Sequence, residues 1–209
     1  MIMLLAEQIT GLHDRLVGAW HLDNHLDPAE TDLFLALVAR QHRANFELWH
    51  IEDEARRPGA TDAELAEVKR RIDRTNQQRN DAVEELDKCL LQEFASHNLP
   101  DAAAPLHSET PGLMIDRLSI LALKIYHTRE ESCREGAPEG HVERNCERLA
   151  ILEEQRADLA ACFDHLWSEI LSGNRRFKLY RQLKMYNDPA LNPAIYKSAP
   201  KQRRHSGSH

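Results

Sequence analysis

No apolar run in this 209-residue chain approaches the roughly 20 residues needed to cross a bilayer, so no membrane-spanning helix and no membrane insertion are expected. The opening Met1–Leu5 is too short for a signal-peptide core, and Glu7 soon follows. Glycine is scarce, at 8 residues, and β-branched residues are few beside Ala, Leu, Glu and Arg. Such a composition favours helices over strands. A basic surplus is also lacking: the formal net charge of −7 argues against a general nucleic-acid binder. The four cysteines, Cys89, Cys133, Cys146 and Cys162, show no C-x-x-C spacing. They are expected as free thiols in a reducing cytoplasm.

What is present suits a globular protein, with 42% hydrophobic and 29% charged residues. A chain of this length buries roughly 70% of the surface its unfolded form exposes, so it needs no staples. The expected fold is all-α: a single five- or six-helix bundle over residues 1–196, followed by a disordered basic tail, 197–209. Helix one is expected over about 3–22. Asp27-Pro28-Ala29-Glu30 has the chemistry of a helix start and opens a helix running to about residue 56. Pro58-Gly59 breaks the chain, and Thr61-Asp62-Ala63-Glu64 is a capping box that opens a long helix to about 94. These two helices, about 28–56 and 62–94, should form an antiparallel hairpin. Thr110-Pro111 starts a fourth helix ending near 134, and a fifth covers about 141–171 until Gly173-Asn174. Residues 175–187 are predicted as a short last helix.

The helix faces are unusually polar. Asn45, Trp49, Glu52 and Arg56 stack at helical spacing beside an apolar stripe that includes Leu33, Leu37, Ala44, Leu48 and Ile51. Lys69, Asp73, Asn76, Asn80, Glu84 and Asp87 do the same on the third helix. Asn and Asp are poor formers of helix interiors, so Asn76 and Asn80 suggest either a buried structural network or a ligand pocket. With a turn centred near residue 59 or 60, Asn45 should lie level with Asp73 and Arg74, and His42 level with Asn76 and Gln77. One pocket between helices two, three and four would then collect both faces. Asp116, Arg117, Lys124, His127 and Glu131 are the candidates from the fourth helix, and Arg181 and Lys184 from the run Tyr180–Asp188.

Several long motifs also carry a resemblance. They are Asn45-x2-Leu48-Trp49-His50-x-Glu52-Asp53-x-Ala55-Arg56, Lys69-Arg70-x-Ile72-Asp73-x2-Asn76-Gln77-x-Arg79-Asn80-Asp81, Glu109-Thr110-Pro111-Gly112-x3-Asp116-Arg117, and the Tyr180–Asp188 run. The chain resembles domain-of-unknown-function family 4254, a bacterial family. That resemblance implies a helical fold and a context of glycosyltransferase and cell-surface polysaccharide genes.

Three chemistries are compatible with these residues. The first is a binder or enzyme for a polar anionic small molecule, a sugar phosphate or nucleotide sugar. Asn45, Asn76, Gln77 and Asn80 would take hydroxyls, Lys69, Arg79 and Arg181 the anion, and Trp49 a ring. His50 and His127 are its acid/base candidates, with Asp73 and Glu131 as further catalytic candidates. The second is a di-metal oxidoreductase site, with non-haem iron or another divalent metal as cofactor, built from Glu47, His50, Glu84, His127 and Glu131. Only one Glu-x-x-His motif, Glu47 to His50, supports it. The third is a non-enzymatic scaffold or homo-oligomer, with Trp20, Trp49, Trp167 and exposed leucines at an interface. A nucleotide pyrophosphohydrolase is disfavoured, because the hairpin would hold Glu52 and Glu84 roughly 26 Å apart.

Overall fold

The computed structural model describes residues 5–26, 30–183 and 190–197. Five long helices form its main unit, Met1–Leu179: α1 (Ala6–Leu22), α2 (Leu33–Glu54), α3 (Asp62–Ala95), α4 (Pro111–Ser132) and α5 (His141–Leu171). The architecture is thus an all-α bundle, and among the described residues the only β-type pairing is one bridge between Leu106 and Arg176. By its contacts the chain divides at Leu179, and the unit that begins at Tyr180 contains a short helix, α6 (Pro193–Tyr196). The basic tail predicted at 197–209 lies almost wholly outside the described residues.

Local chemistry sets most helix ends. At α3, the Thr61 hydroxyl accepts from Glu64 N at 3.3 Å, and the Glu64 carboxylate accepts from Thr61 N at 2.8 Å. This reciprocal pair satisfies two otherwise orphaned N–H groups. Asp27–Ala29 lie outside the described residues, and the cap of α2 is Asp32, whose carboxylate accepts from Leu35 N at 2.9 Å. Leu33, expected in the apolar stripe, is therefore a first-turn residue and stands exposed. After α5, Gly173 takes φ +73°, and Asn174 N donates to Glu169 O at 2.8 Å, closing the last turn.

The helix predicted over 175–187 does not form in its described part. Arg176 N donates to Pro105 O at 3.0 Å, and His107 N donates to Arg176 O at 2.7 Å. The loop after α3 thus takes the backbone groups that a helix would need, and Phe177 anchors the segment in the core.

Helix α4 is the hub of the bundle, packing against α1, α2, α3 and α5. Its Ile115, Leu118 and Ser119 are wholly buried. Leu86, Leu90 and Phe94 of α3, Ile9, Leu12 and Leu16 of α1, and Phe163 and Ile170 of α5 complete the core. Trp20 and Trp167 belong to that core, which removes them from any interface role; Trp49 is half-buried.

Helices α2 and α3 run antiparallel, but with a different register from the expected one. Glu54 pairs with Arg71 and Arg40 with Glu85, which puts the symmetry point between residues 62 and 63. The connection 55–61 continues past the end of α2, so the first two turns of α3 project beyond it, exposed throughout 61–67. Asn45 consequently lies level with Asn80, next to Arg79, and not with Asp73.

The start of α4 is held by a buried carboxylate. Asp87 accepts from the Thr110 hydroxyl at 2.5 Å and from Gly112 N at 2.8 Å. A Cβ at position 112 would lie 2.8 Å from Asp87 Oδ1 and 2.9 Å from the backbone oxygen of Val83. Gly112→Ala should therefore lower unfolding free energy by about 1–3 kcal/mol in urea denaturation. A neutral result would show that α4 can retreat from α3 without loss.

Candidate functional site

The polar residues singled out on α2, α3 and α4 separate into distinct groups. The deepest is a closed network. Asp116 Oδ1 accepts from Gln41 Nε2 at 2.6 Å, Asn45 Nδ2 at 3.0 Å and Arg79 Nε at 2.8 Å, while Arg79 Nη2 donates to Oδ2. That two-pronged contact holds the Arg79 guanidinium even more firmly protonated than usual. Asn45 Nδ2 also donates to Ser119 Oγ at 2.9 Å. His42 Nε2 lies 3.2 Å from His13 O, so it must be the protonated nitrogen; the Ser119 hydroxyl then donates to His42 Nδ1 across 2.7 Å. Ser119 and His42 resemble a nucleophile and its base, but both are wholly buried and no substrate reaches them. Burial also holds His42 neutral, with its pKa pushed down to about 3.

One edge of this network reaches a cleft of about 390 Å³, lined by Asn45, Trp49, Glu52, Asp53, Arg56 and Arg79. Its two cations are already engaged: Arg56 pairs with Glu52 and Arg79 with Asp116. The other α3 candidates, Lys69, Asn76, Gln77 and Asn80, are not among its lining residues. Lys69 pairs with Asp73 on an exposed flank, Gln77 donates to Asp81 at 2.8 Å, and Asn76 and Asn80 are half-buried. Arg117, paired with Glu109 at 2.6 Å, and Lys124 line a separate cleft with α5 residues. Arg181 belongs to the second unit, and Lys184 lies outside the described residues.

The proposed five-residue di-metal set is not assembled. Glu47 pairs with Arg43, Glu84 approaches Lys88, and Glu131 pairs with His141 at 2.7 Å and Arg134 at 2.9 Å. His50 and His127 do come together, joined by His21 from the last turn of α1. Their available ligand atoms lie within 4.8 Å of one another. The three ring centroids are 5.0 to 5.7 Å apart, and each pair is near perpendicular. Trp49 stacks on His127 at 4.9 Å, and Tyr126 on His21 at 4.2 Å.

Hydrogen bonding fixes two of the three tautomers. A carbonyl cannot donate, so His21 Nδ1 carries the hydrogen that Val17 O accepts at 2.7 Å. His127 Nδ1 likewise donates to the Glu130 carboxylate at 3.0 Å. In both rings Nε2 is then the bare nitrogen, and in both it is buried with no hydrogen-bond partner. Burial lowers the pKa of His50, and the neighbouring His21 and His127 lower it further. Burial also lowers that of His127, against the opposing Glu130 hydrogen bond.

Sequence reasoning selected His50 and His127 and missed His21. The available signal was the stripe Ile9, His13, Val17, His21, spaced by four along the inward face of α1. Beside this cluster, between α1, α2 and α3, lies a larger cleft of about 630 Å³, reached by His21, His50, Arg43, Arg71 and Arg74. Arg43 is bound to Glu47 and Asn24 and lies over the Trp20 ring at 5.1 Å, yet its Nη1 is buried without a partner.

Among the described residues, no helix is long and apolar enough to cross a membrane. No curated protein and no solved structure matches the chain. Residues 35–179, which include His50 and His127 but not His21, match the family described as protein of unknown function (DUF4254), and the chain belongs to that family.

Proposed function

We propose that this protein binds a compact polar anion, a sugar phosphate or nucleotide sugar, in the cleft between α1, α2 and α3. The observation that carries this reading is the buried, unpartnered Nη1 of Arg43 in a cleft that Arg71 and Arg74 also line, each paired at its edge, with Glu54 and Glu67. Guanidinium groups bind phosphate through paired hydrogen bonds, and a buried bare donor gains most from an incoming oxygen. His50 lines the same cleft and, held neutral, is available as a general base. The resemblance to a family with a polysaccharide context suits such a ligand, and the four free cysteines suit a cytoplasmic setting.

Nucleotide sugars and sugar phosphates should raise the melting temperature, because a ligand bound only by the folded state stabilises it. Arg74→Gln should weaken binding about 10-fold or more, the usual worth of a charge-assisted hydrogen bond. Lys124→Gln, in the α4–α5 cleft, should leave it unchanged. A screen without a stabilising ligand, or a loss confined to Lys124→Gln, would overturn the reading.

The closed Asp116 network supports a second reading, a non-enzymatic scaffold or homo-oligomer in which buried polar groups specify helix register. A concentration-dependent sedimentation coefficient, without any small-molecule binding, would favour it.

A further inference from the structure

We propose that His21, His50 and His127 form a mononuclear site for a divalent transition-metal ion of the zinc class. The anion-binding reading is carried by arginines and this one by imidazoles; His50 alone is common to both, and as a metal ligand it would no longer serve as a base.

The geometry supplies three imidazoles from three helices, with ligand atoms within 4.8 Å and rings splayed almost at right angles around a common centre. A tetrahedral ion with bonds of about 2.1 Å holds its nitrogens roughly 3.4 Å apart, so small inward ring rotations close the set. The second and independent observation is the tautomers. His21 and His127 each use Nδ1–H in a hydrogen bond, which leaves a bare, buried, unpartnered Nε2 on each ring as the nitrogen able to take an ion. A ligating histidine normally donates its other N–H to a backbone carbonyl or a carboxylate, which orients the ring and strengthens the metal bond. Val17 O and Glu130 are one of each.

The ligand type selects the ion. Three neutral nitrogens repel an anion and are poor partners for Mg²⁺ or Ca²⁺, which take oxygen, whereas imidazole suits Zn²⁺, Cu²⁺, Ni²⁺, Co²⁺ and Fe²⁺. Glu130 on His127 and the nearby Asp53, which acts on both His50 and His127, offset the ion's charge. Three protein ligands leave a fourth position for water or for a group in the cleft that His21 and His50 line. The five-residue di-metal arrangement is replaced by a single ion, because Glu47, Glu84 and Glu131 are engaged elsewhere and join no such group.

The test uses the full chain, purified without nickel affinity, dialysed against chelator and titrated with Co²⁺ and then Zn²⁺. One equivalent of Co²⁺ per chain should bind with visible d–d absorption, which Zn²⁺ should displace. His21→Asn, His50→Asn and His127→Asn should each weaken binding by at least about 100-fold, and Glu130→Gln by about 10–100-fold. His165→Asn, at an exposed histidine of α5, should bind as the parent does. Long-range ¹H–¹⁵N spectra of the parent should place the zinc-induced shift on Nε2 of His21 and His127, a readout that needs no variant to fold. Absence of saturable Co²⁺ or Zn²⁺ uptake, uptake that survives all three substitutions, or shifts on other histidines would each overturn the proposal.

Discussion

Replacing Arg79 by methionine should lower the unfolding free energy by about 3–5 kcal/mol, the cost of leaving a buried charge without its partner. The Asp116 side chain is only 7% exposed and Arg79 23%, so water cannot take over the lost contact. The carboxylate would keep Gln41 and Asn45 as donors, but amide groups do not neutralise it. Asp116→Asn is the gentler change: it keeps an acceptor for those amides and leaves the guanidinium nearer to solvent. Lys69→Met, at an exposed ion pair with Asp73, should cost no more than about 1 kcal/mol. Urea denaturation measures all three. If Arg79→Met cost no more than Lys69→Met, the network would not be holding α2, α3 and α4 together.

Acidification should unfold the bundle with a slope set by its buried histidines. Burial holds His42 neutral in the fold, near pKa 3, against 6.5 in the unfolded chain. Between those values the unfolded chain takes up the proton first. The stability from neutral His42 is therefore complete above pH 6.5 and is lost as the pH falls toward 3, at roughly 1.4 kcal/mol per pH unit. His13 acts with the same sign: burial pushes its pKa well below 6.5, and nearby His42 and Arg156 add to the effect. Asp87 opposes them. Burial raises it to about 6 from 3.8, so between those values the folded state holds the extra proton and acid restores stability. Two histidines against one carboxyl leave a net loss of stability as the pH falls from 6.5 toward 4.5. Neither ring nitrogen of His13 has a hydrogen-bond partner, so His13→Leu breaks no such bond. It should flatten the slope while leaving stability at pH 7.5 equal or higher. A pH-independent midpoint in the parent would refute this account.

Helix positions were legible because caps and breakers are local. Thr61 with Glu64, Thr110 with Pro111, and Gly173 act within four residues of themselves, and each fell where its chemistry required. The hairpin register was not legible, because it depends on how far the 55–61 connection travels before turning back. The failed helix after residue 174 has the same cause. Its backbone is taken by Pro105 and His107, far away in sequence, which no local propensity reveals. Asn45, Arg79 and Asp116 were chosen for a pocket because Asn and Asp sit poorly inside helices. That reasoning found residues with work to do, and the structure shows that for these three the work is mutual. His21 escaped notice because its helix shares no polar face with the hairpin, and only the spacing of four from His13 marked it.

The hydrogen bonds from Asn45 to Ser119, Ser119 to His42 and His42 to the His13 carbonyl all run in one direction. Apolar ridges recur at every helical turn, so a hydrophobic seam tolerates a slip of about 5.4 Å. A one-way series has a single phase. Sliding α2 by one turn would set Val38 or Phe46 opposite Ser119, and the hydroxyl proton would face hydrocarbon. The sidedness of these few hydrogens thus works as a vernier on the bundle, admitting one alignment of α1, α2 and α4 where shape alone admits several.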